Sequence, residues 1–276
     1  CKLEQETTPP LLERLKEKAR IANLPICGGN CMGFYNFGIG LWASGFDTRH
    51  HRREGNVSLI SQSGAGMCSI LDSDERINFN FAVSSGQELT VSMEDYLDYF
   101  IEQPSTRVVG MFMETSRQPE KFIAVLKKAQ AKGIPIVVVK VGRTELAAKM
   151  AISHSGALAG SDDSYNAIFE RYGVQRVEDM DQWATALIMF AQPKNLGEGG
   201  VVSLHDSGGE RQLTIDLADQ LGVPLTHLGG EAVMELEQLL DPGLPAVNPL
   251  DAWGAGGADS EQQMQDCFSA LLKDPQ

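Results

Sequence analysis

Short apolar runs of strand length alternate with helical patterns through the middle of this chain. The runs are rich in Val, Ile, Phe and Met and lie at residues 57–61, 79–83, 108–113 and 134–139. Between them, apolar residues recur at helical spacing over residues 64–71, 93–103 and 119–132. Strand alternating with helix predicts a parallel sheet covered by helices on both faces, which places the chain in the α/β class.

A second α/β unit is predicted after a break at residues 192–200, which contain Pro, Asn and several Gly. The first unit closes with a helix at 162–172, a strand at 174–177 and a helix at 179–191, and the second opens with a strand at 201–204, a helix at 208–221 and a strand at 223–227. Before the first unit, residues 10–23 have the spacing of an amphipathic helix, and residues 28–46 hold too many glycines for a long regular element. We therefore expect domain boundaries near residues 53 and 193.

The length, composition and net charge of the chain argue for a globular protein and against membrane-spanning and nucleic-acid-binding classes. A chain of 276 residues suits two domains and part of a third, and 42% hydrophobic with 22% charged residues is ordinary globular composition. The longest apolar runs are of strand length, well below the roughly 20 residues that span a bilayer. A net charge of -14 argues against nucleic acid and anionic membranes as partners, because both require clustered Lys and Arg.

The five cysteines are scattered and show no disulfide framework. Cys27 and Cys31 are the closest pair, and no second Cys/His pair lies at a spacing that would complete a zinc site. We therefore expect reduced thiols, a cytoplasmic protein and no metal site. The chain opens on Cys1 rather than Met, so we expect it to begin partway through a longer protein.

Two strand-to-helix junctions carry small residues where a helix is predicted to begin. Ser63-Gly64 follows the apolar run at 57–61, and Gly208-Gly209 follows the run at 201–204. Backbone N–H groups at such a helix N-terminus, together with the helix dipole, favour a bound anion. Because Gly and Ser are also ordinary turn and N-cap residues, capping is the favoured interpretation of either junction taken alone.

His154 lies in a segment, residues 152–162, that is too rich in Gly and Ser to make a stable helix. Small neighbours let such an imidazole move and meet a substrate, which favours a functional role over that of a structural histidine. Glu114 ends the run at 108–113, at the edge where α/β sites form, and a carboxylate there can orient one imidazole nitrogen while the other acts as nucleophile. A helix-capping or loop carboxylate is an equally good interpretation of Glu114.

Three common site motifs are absent from the sequence. No G-x-x-x-x-G-K-[ST] phosphate loop occurs, and the dinucleotide pattern that begins with Gly64 and Gly66 has Ser69 at its third glycine position. The G-x-S-x-G elbow of serine hydrolases is also broken, since Ser61 replaces its first glycine.

The sequence of residues 153–162, Ser-His-Ser-Gly-Ala-Leu-Ala-Gly-Ser-Asp, resembles the phosphohistidine loop of the nucleoside-diphosphate-forming acyl-CoA synthetase superfamily almost residue for residue. That superfamily includes succinyl-CoA synthetase and ADP-forming acetyl-CoA synthetase. Segments 55–64 and 248–251 and the strand ending at Glu114 are also similar, and residues 29–33 resemble the last turn of the family's CoA-binding Rossmann domain. The resemblance covers the chain from residue 24 onward.

The resemblance implies a domain order and a reaction. The C-terminal part of a CoA-binding Rossmann domain (1–53) would precede a flavodoxin-like domain with the phosphohistidine loop (54–193) and a second flavodoxin-like domain (194–276). The ligase would convert an acid, coenzyme A and ATP into acyl-CoA, ADP and phosphate through an acyl phosphate and a phosphohistidine. ATP or ADP with Mg²⁺ would bind an ATP-grasp module outside this chain, either fused to it or as a separate subunit. A small carboxylic acid substrate and a multi-subunit assembly complete the implied partners.

The family's functional residues map onto matching positions of this chain. His154 would carry the phosphoryl group, and Glu114 would hydrogen-bond its ring. The phosphate would be held at two helix N-termini, by Ser63, Gly64, Ser155, Gly208 and Gly209. Asn30 and Ser85 would contact coenzyme A.

One segment departs from the family pattern. Residues 206–211, Asp-Ser-Gly-Gly-Glu-Arg, replace the more usual Asn-Ala-Gly-Gly-Pro-Gly type. Glu210 places a negative charge where phosphate should dock, which opposes binding unless Arg211 offsets it. The alternative hypothesis is therefore a catalytically silent CoA-binding regulatory module of the same superfamily, although the retention of His154 favours an active ligase.

A third hypothesis is a serine hydrolase that uses Ser63 with His154, against which the broken elbow motif argues. It predicts that a fluorophosphonate labels Ser63 covalently, whereas the ligase hypothesis predicts no label on that hydroxyl. Intact-protein mass spectrometry of the wild type and of Ser63→Ala distinguishes the two, because a hydrolase adduct would vanish in the variant.

Overall fold

The computed structural model describes residues 8–48, 55–144, 146–147, 161–193, 197, 199–253 and 259–275. The chain divides into two compact units, Cys1–Pro193 and Lys194–Gln276. The predicted boundary between 53 and 54 does not separate compact units, and the assignment of segments to the family's domains stays a prediction.

A seven-stranded sheet forms the centre of the first unit. Its strands, in chain order, are β1 (Gly33–Asn36), β2 (Leu41–Ser44), β3 (Val57–Ser61), β4 (Phe79–Ser84), β5 (Val108–Met113), β6 (Ile136–Lys140) and β7 (Gln175–Val177). They lie side by side in the order β2-β1-β4-β3-β5-β6-β7. β3 to β7 pair in parallel, whereas β1 is antiparallel to both β2 and β4. The predicted α/β class with a parallel sheet is confirmed.

The first unit contains six helices among the described residues. They are α1 (Leu11–Ile21), α2 (Gly64–Leu71), α3 (Met93–Phe100), α4 (Pro119–Lys132), α5 (Asp162–Tyr172) and α6 (Met180–Phe190). Five of them, α2 to α6, cover the two faces of the sheet. One core lies between the sheet and α3, α4 and α5, and a second core lies between the sheet and α2 and α6. All five residues of β3 are buried, with Ile60 in the first core and Leu59 in the second. Burial on both faces explains why the strand reads as a continuous apolar run rather than an alternating one.

The Gly-rich stretch at 28–46 forms two short strands and, as expected, no long regular element. Two four-residue strands form an antiparallel hairpin, and Phe34 of β1 pairs with Val83 of β4. Gly33 has φ +93, and a Cβ there would collide with the backbone carbonyl oxygen of Ala43. The glycine therefore permits a close pairing of short strands, and the hairpin belongs to the sheet of the first unit.

The predicted amphipathic helix at 10–23 forms as α1, but most of its apolar side chains face solvent. Ala19 is its buried residue, whereas Leu11, Leu12 and Ile21 are exposed. Helical periodicity therefore predicted that α1 forms, but it does not show whether the apolar residues along one side of the helix are buried.

The second unit has less strand structure than predicted. Its elements are β8 (Leu204–His205), β9 (Leu250–Asp251), α7 (Gly208–Leu221), α8 (Gly230–Leu239) and α9 (Ser260–Lys273). β8 and β9 pair in parallel, and the strands expected at 201–204 and 223–227 meet as a single parallel bridge between Val201 and Leu225. The Asn248 amide also ties these two segments together, since its Nδ2 donates to the carbonyl oxygens of Val201 and Thr226 at 2.8 and 2.9 Å.

Among the described residues, no helix combines the length and the apolar character required to cross a lipid bilayer.

We expect Leu187→Ala to lower the free energy of unfolding by about 2–5 kcal/mol. Leu187 of α6 is 0% exposed, and its Cδ2 lies 3.1 Å from where a Cβ on Gly110 of β5 would stand, so truncation would leave a cavity against the sheet. Met189 of the same helix is 60% exposed, and Met189→Ala should change the value by no more than about 0.5 kcal/mol. Urea unfolding followed by tryptophan fluorescence measures both, and equal losses would contradict the packing of α6.

Candidate functional site

The carboxyl ends of the parallel strands β3, β5 and β6 bring several polar residues to one edge of the sheet. β3 ends at Ser61, β5 at Met113 and β6 at Lys140, and the strands are neighbours in the order β3-β5-β6. This edge is where open α/β sheets bind ligands. Glu114, which follows β5, lies on it as predicted.

Ser63 caps the N-terminus of α2. Its Oγ accepts the N–H of Gly66 at 3.1 Å, and Ser61 Oγ donates to the carbonyl oxygen of Ser63 at 2.6 Å. Within the described part of the chain, the N–H groups of Gly64 and Ala65 have no recorded acceptor, as expected for the first turn of a helix. The junction therefore combines the capping role of Ser63 with donors and a dipole that suit an anion.

Gly64 also has a packing reason to be glycine. A Cβ on Gly64 would lie 2.8 Å from Cγ of Met32, which covers this side of the helix start. The Met32 side chain thus borders the candidate anion site, and substitution of Gly64 would force it to move.

Gln62 is a buried amide, 6% exposed, that joins the end of β3 to the segment after β5. Its Oε1 accepts the N–H groups of Glu114 and Thr115 at 2.7 and 3.0 Å. Its Nε2 donates to the carbonyl oxygen of Thr115 at 2.8 Å and to Oε1 of Glu88 at 3.0 Å. The backbone of Glu114 is therefore held by the residue that directly precedes Ser63.

Glu88 is a buried carboxylate at the same edge, 5% exposed. Its Oε1 also accepts Ser85 Oγ at 2.8 Å and the N–H of Met93 at 3.1 Å, and its Oε2 lies 3.2 Å from Nε of Arg117. Burial raises the pKa of Glu88, while the hydrogen bonds from Gln62 and Ser85 act in the opposite direction. Its φ of +53 lies in the left-handed region, where a side chain other than glycine is strained, so the surrounding contacts hold the residue in place.

Lys140 is the last residue of β6 and is only 4% exposed. Its Nζ donates to the carbonyl oxygens of Glu114 and Val141 at 2.7 and 2.6 Å, and lies 4.7 Å from the ring centroid of Tyr165. Burial lowers the pKa of Lys140 to about 8, against the opposing influence of Asp162. Lys140 therefore places beside the Glu114 backbone an amino group whose pKa lies close to neutral pH.

The two residues expected to contact coenzyme A lie on neighbouring segments. Ser85, 0% exposed, follows β4, and its Oγ donates to Glu88. Asn30 is exposed, and its carbonyl oxygen lies 2.6 Å from where a Cβ on Gly86 would stand. The structure thus brings Asn30 beside the turn that contains Ser85, although the hydroxyl of Ser85 is engaged inside the protein.

His154 and Ser155 lie outside the described residues. In the sequence they fall between Lys140 at the end of β6 and Asp162 at the start of α5. Asp162 is anchored, because its Oδ1 accepts Nη2 of Arg176 at 2.8 Å. β6 ends at the carboxyl edge that carries Glu114, and His154 follows it in the sequence.

In the second unit, Ser207 caps α7 by accepting the N–H of Glu210 at 3.5 Å. A Cβ on Gly208 would lie 3.2 Å from Oδ2 of Asp251, so a carboxylate already stands beside this helix N-terminus. Asp251 is 9% exposed, and its Oδ1 accepts the N–H of Trp253 at 3.2 Å. Together with Glu210, it makes the start of α7 less favourable for an anion than the start of α2.

Sequence reasoning missed Gln62, Glu88 and Lys140 as members of this edge. Lys140 had a local signal, since a charged residue that ends an apolar strand points to the edge of the sheet. Gln62 directly precedes the Ser63-Gly64 junction identified in the sequence, but the partners of its side chain are distant in sequence. Glu88 had no local signal.

Lys140→Met should reveal the depressed pKa of Lys140 through the pH dependence of stability. The unfolded lysine titrates near its ordinary value of 10.5 and the folded one at about 8, so the unfolded state binds more protons between these values. The stability of wild type relative to Lys140→Met should therefore rise with pH across this window, by up to about 1.4 kcal/mol per pH unit.

Urea unfolding at a series of pH values measures this difference. Lys128→Met is the control, because hydrogen bonding to Asp98 raises the pKa of Lys128 and predicts no such rise over the window. A flat difference for Lys140→Met would contradict the buried position of Nζ.

Several known proteins with similar sequences are acyl-CoA ligases. The chain is 33% identical over 254 residues to the ADP-forming acetate–CoA ligase I of Archaeoglobus fulgidus, covering 90% of this chain and 36% of that protein. It is 31% identical over 265 residues to the alpha subunit of ADP-forming acetate–CoA ligase II of Pyrococcus furiosus, covering 95% of this chain and 56% of that subunit. The chain thus spans about half the length of these relatives or less.

A solved structure has the same fold. The dinucleotide forming acetyl-coenzyme A synthetase 1 of Candidatus Korarchaeum cryptofilum, in complex with phosphate and ADP, superposes with a TM-score of 0.84 at 27% identity. The match covers 96% of this chain and 57% of that one.

Residues 54–190 match the succinyl-CoA ligase like flavodoxin domain family. This match, the acetate–CoA ligase relatives and the shared fold confirm the resemblance seen in the sequence. The chain belongs to the nucleoside-diphosphate-forming acyl-CoA synthetase superfamily.

Proposed function

We propose that this chain is the CoA-side component of an ADP-forming acyl-CoA synthetase, with His154 as its phosphoryl carrier. One observation carries the proposal: in a member of this superfamily, the capped N-terminus of α2 and Glu114 lie on one sheet edge and are joined by the side chain of Gln62. An anion-binding helix start and a carboxylate on the same sheet edge are the parts that a phosphohistidine relay needs.

The proposed reaction has three balanced steps. ATP transfers its γ-phosphoryl group to an imidazole nitrogen of His154, which releases ADP. The phosphohistidine then transfers the group to a carboxylate of the acid, which gives an acyl phosphate and regenerates the imidazole. The CoA thiol, losing its proton, attacks the acyl carbon, so that acyl-CoA forms and inorganic phosphate leaves.

Besides His154, five residues of the chain have roles in these steps. The Glu114 carboxylate accepts a hydrogen bond from one ring nitrogen of His154, which leaves the other as the nucleophile. The phosphoryl group, with a charge of about −1.5 to −2, docks at the N–H groups of Gly64 and Ala65, where the dipole of α2 stabilises it. Ser63 keeps this helix start capped, and Ser155 adds a hydroxyl beside His154.

Coenzyme A is proposed to approach the segment around Asn30 and the turn that contains Ser85. These two segments touch, and Asn30 is exposed, so its side chain is accessible to the thiol end of the ligand. The hydroxyl of Ser85 would contribute only if it turned away from Glu88.

Binding of Mg-ATP is assigned to an ATP-grasp module, on the same polypeptide or on a separate subunit. The existence of an alpha subunit among the relatives supports the second arrangement for some members of the superfamily. The acid is proposed to be a small carboxylic acid, and the working protein a cytoplasmic multi-subunit assembly.

The second candidate function is a CoA-binding regulatory module that does not turn over. The observation in its favour is the acidic start of α7, where Asp251 and Glu210 oppose a phosphate at Gly208 and Gly209. If the relay needs that helix N-terminus, the two carboxylates would suppress it.

We expect wild-type full-length protein, mixed with Mg-ATP and its ATP-grasp module, to acquire one phosphoryl adduct that is labile to acid and stable to alkali. The adduct should be absent from His154→Ala, because the imidazole is the acceptor. Intact-protein mass spectrometry measures it. His227→Ala is the matched control, since His227 is an exposed histidine of the second unit and should leave the adduct unchanged.

The same test with an acyl phosphate as donor removes the need for the ATP-grasp module. Absence of the adduct with both donors, while CoA still binds, would overturn the ligase proposal and favour the regulatory module.

A further inference from the structure

We propose that Gln62 is a positioning residue that sets the spacing between Glu114 and the phosphate dock at the start of α2. This inference rests on the proposed function, because it assigns Gln62 a part in the phosphoryl relay. It goes further in that a buried amide, which touches neither substrate nor the phosphoryl group, determines where the orienting carboxylate stands.

Gln62 is bound to β5 by both its main chain and its side chain. Its N–H donates to the carbonyl oxygen of Phe112 at 3.0 Å, which continues the ladder between β3 and β5 by one residue. Its Oε1 then accepts the N–H groups of Glu114 and Thr115 at 2.7 and 3.0 Å. The residue that begins the turn into α2 is therefore also the residue that holds the turn after β5.

The peptide groups around Glu114 are held from two sides. Gln62 accepts its N–H, and Lys140 Nζ donates to its carbonyl oxygen at 2.7 Å. The first contact comes from the end of β3 and the second from the end of β6, the two strands that flank β5. The Cα of Glu114 is thus fixed by the sheet, and the carboxylate can move only through rotation of its own side chain.

The surroundings also fix which way the Gln62 amide points. The carbonyl oxygen of Thr115 can only accept a hydrogen bond, so it requires the Nε2 end of the amide, which donates to it at 2.8 Å and also to Oε1 of Glu88 at 3.0 Å. The two backbone N–H groups require the Oε1 end. Glu88 is itself held by Ser85, Met93 and Arg117, so the orientation of the amide does not depend on Gln62 alone.

This arrangement matters because phosphoryl transfer between positioned groups is sensitive to geometry. A misplacement of about 1 Å by a remote change costs on the order of 100-fold in rate. Loss of the Gln62 bonds would release the segment at Glu114 relative to α2, so the transfer step should slow while binding of coenzyme A, at the Asn30 segment, should not change.

The chain offers a matched control in Asn80, a second buried amide with the same number of side-chain hydrogen bonds as Gln62. Its Oδ1 accepts Ser58 Oγ and the N–H of Phe81, both at 2.8 Å, and its Nδ2 donates to Ser105 Oγ and Thr106 Oγ1, both at 3.0 Å. Asn80 is the second residue of β4, away from the carboxyl edge of the sheet. Its substitution should disturb the core as much as that of Gln62 without moving Glu114.

The experiment compares Gln62→Met with Asn80→Leu in the full-length protein, each variant keeping the approximate size of the side chain. The rate of His154 phosphorylation by an acyl phosphate is measured by rapid quench and mass spectrometry, and the Kd of coenzyme A by calorimetry. We expect Gln62→Met to slow phosphorylation at least tenfold with an unchanged Kd, and Asn80→Leu to stay within about twofold of the wild-type rate.

The outcomes separate the two proposals. Absence of phosphorylation in the wild type would overturn the proposed function, and the role of Gln62 with it. Wild-type phosphorylation with equal rates for the two variants would overturn the role of Gln62 alone. If Gln62→Met does not fold, Gln62→Asn replaces it, because it keeps a buried amide but shortens the side chain by one methylene group, which withdraws the acceptor from the N–H groups of Glu114 and Thr115. A rate at least threefold below wild type would then support the inference, and an unchanged rate would overturn it.

Discussion

The side-chain amide of Gln62 is the interaction on which the arrangement of the candidate site depends. A buried amide is costly unless its donors and acceptor are satisfied, and here each is used in joining two separate turns. The apolar parts of β3 and β5 would pair in the same way without it. The amide fixes the backbone just beyond the ends of these strands, where the hydrogen bonds between β3 and β5 stop.

The two ionisable side chains beneath this edge, Glu88 and Lys140, are both buried. Glu88 is removed from water, and its carboxylate is stabilised by hydrogen bonds and by the guanidinium of Arg117. Lys140 is removed from water beside Tyr165 and neighbouring carbonyl oxygens. Glu88 and Lys140 are thus two buried ionisable groups near the Glu114 segment, and burial of each costs desolvation free energy. Ionisable groups whose pKa values are shifted by burial cluster at functional sites.

Much of the first unit could be predicted from the sequence because its signals are local. The strands Val57–Ser61 and Val108–Met113 are fully or almost fully buried, so their apolar runs end where the sheet ends. The helices Gly64–Leu71 and Pro119–Lys132 have clear first residues, and their observed bounds equal the predicted ones. The junction at Ser63 and the position of Glu114 at the strand end follow from the same signals.

The remaining features depend on contacts between residues that are distant in sequence. The hydrogen bonds of Gln62 reach Glu88 and Thr115, and no spacing rule connects these positions. The second unit was predicted with longer strands because the apolar runs at 201–204 and 223–227 have strand composition, but the two runs pair only at the bridge between Val201 and Leu225, where the Asn248 amide, distant in sequence, also binds.

The hairpin of β1 and β2 has a consequence for the order in which the protein folds. β1 pairs with β4, so β3 and α2 must be synthesised and β4 completed before the hairpin has a partner. Closing this contact carries the entropy cost of a long loop, and pairings of that kind form after local ones. The segment with Asn30 leads directly into β1, so its place beside Gly86 depends on β4, which the chain reaches only after β3 and α2. The position of this N-terminal segment is therefore set by residues about 50 positions further along the chain rather than by its own turns.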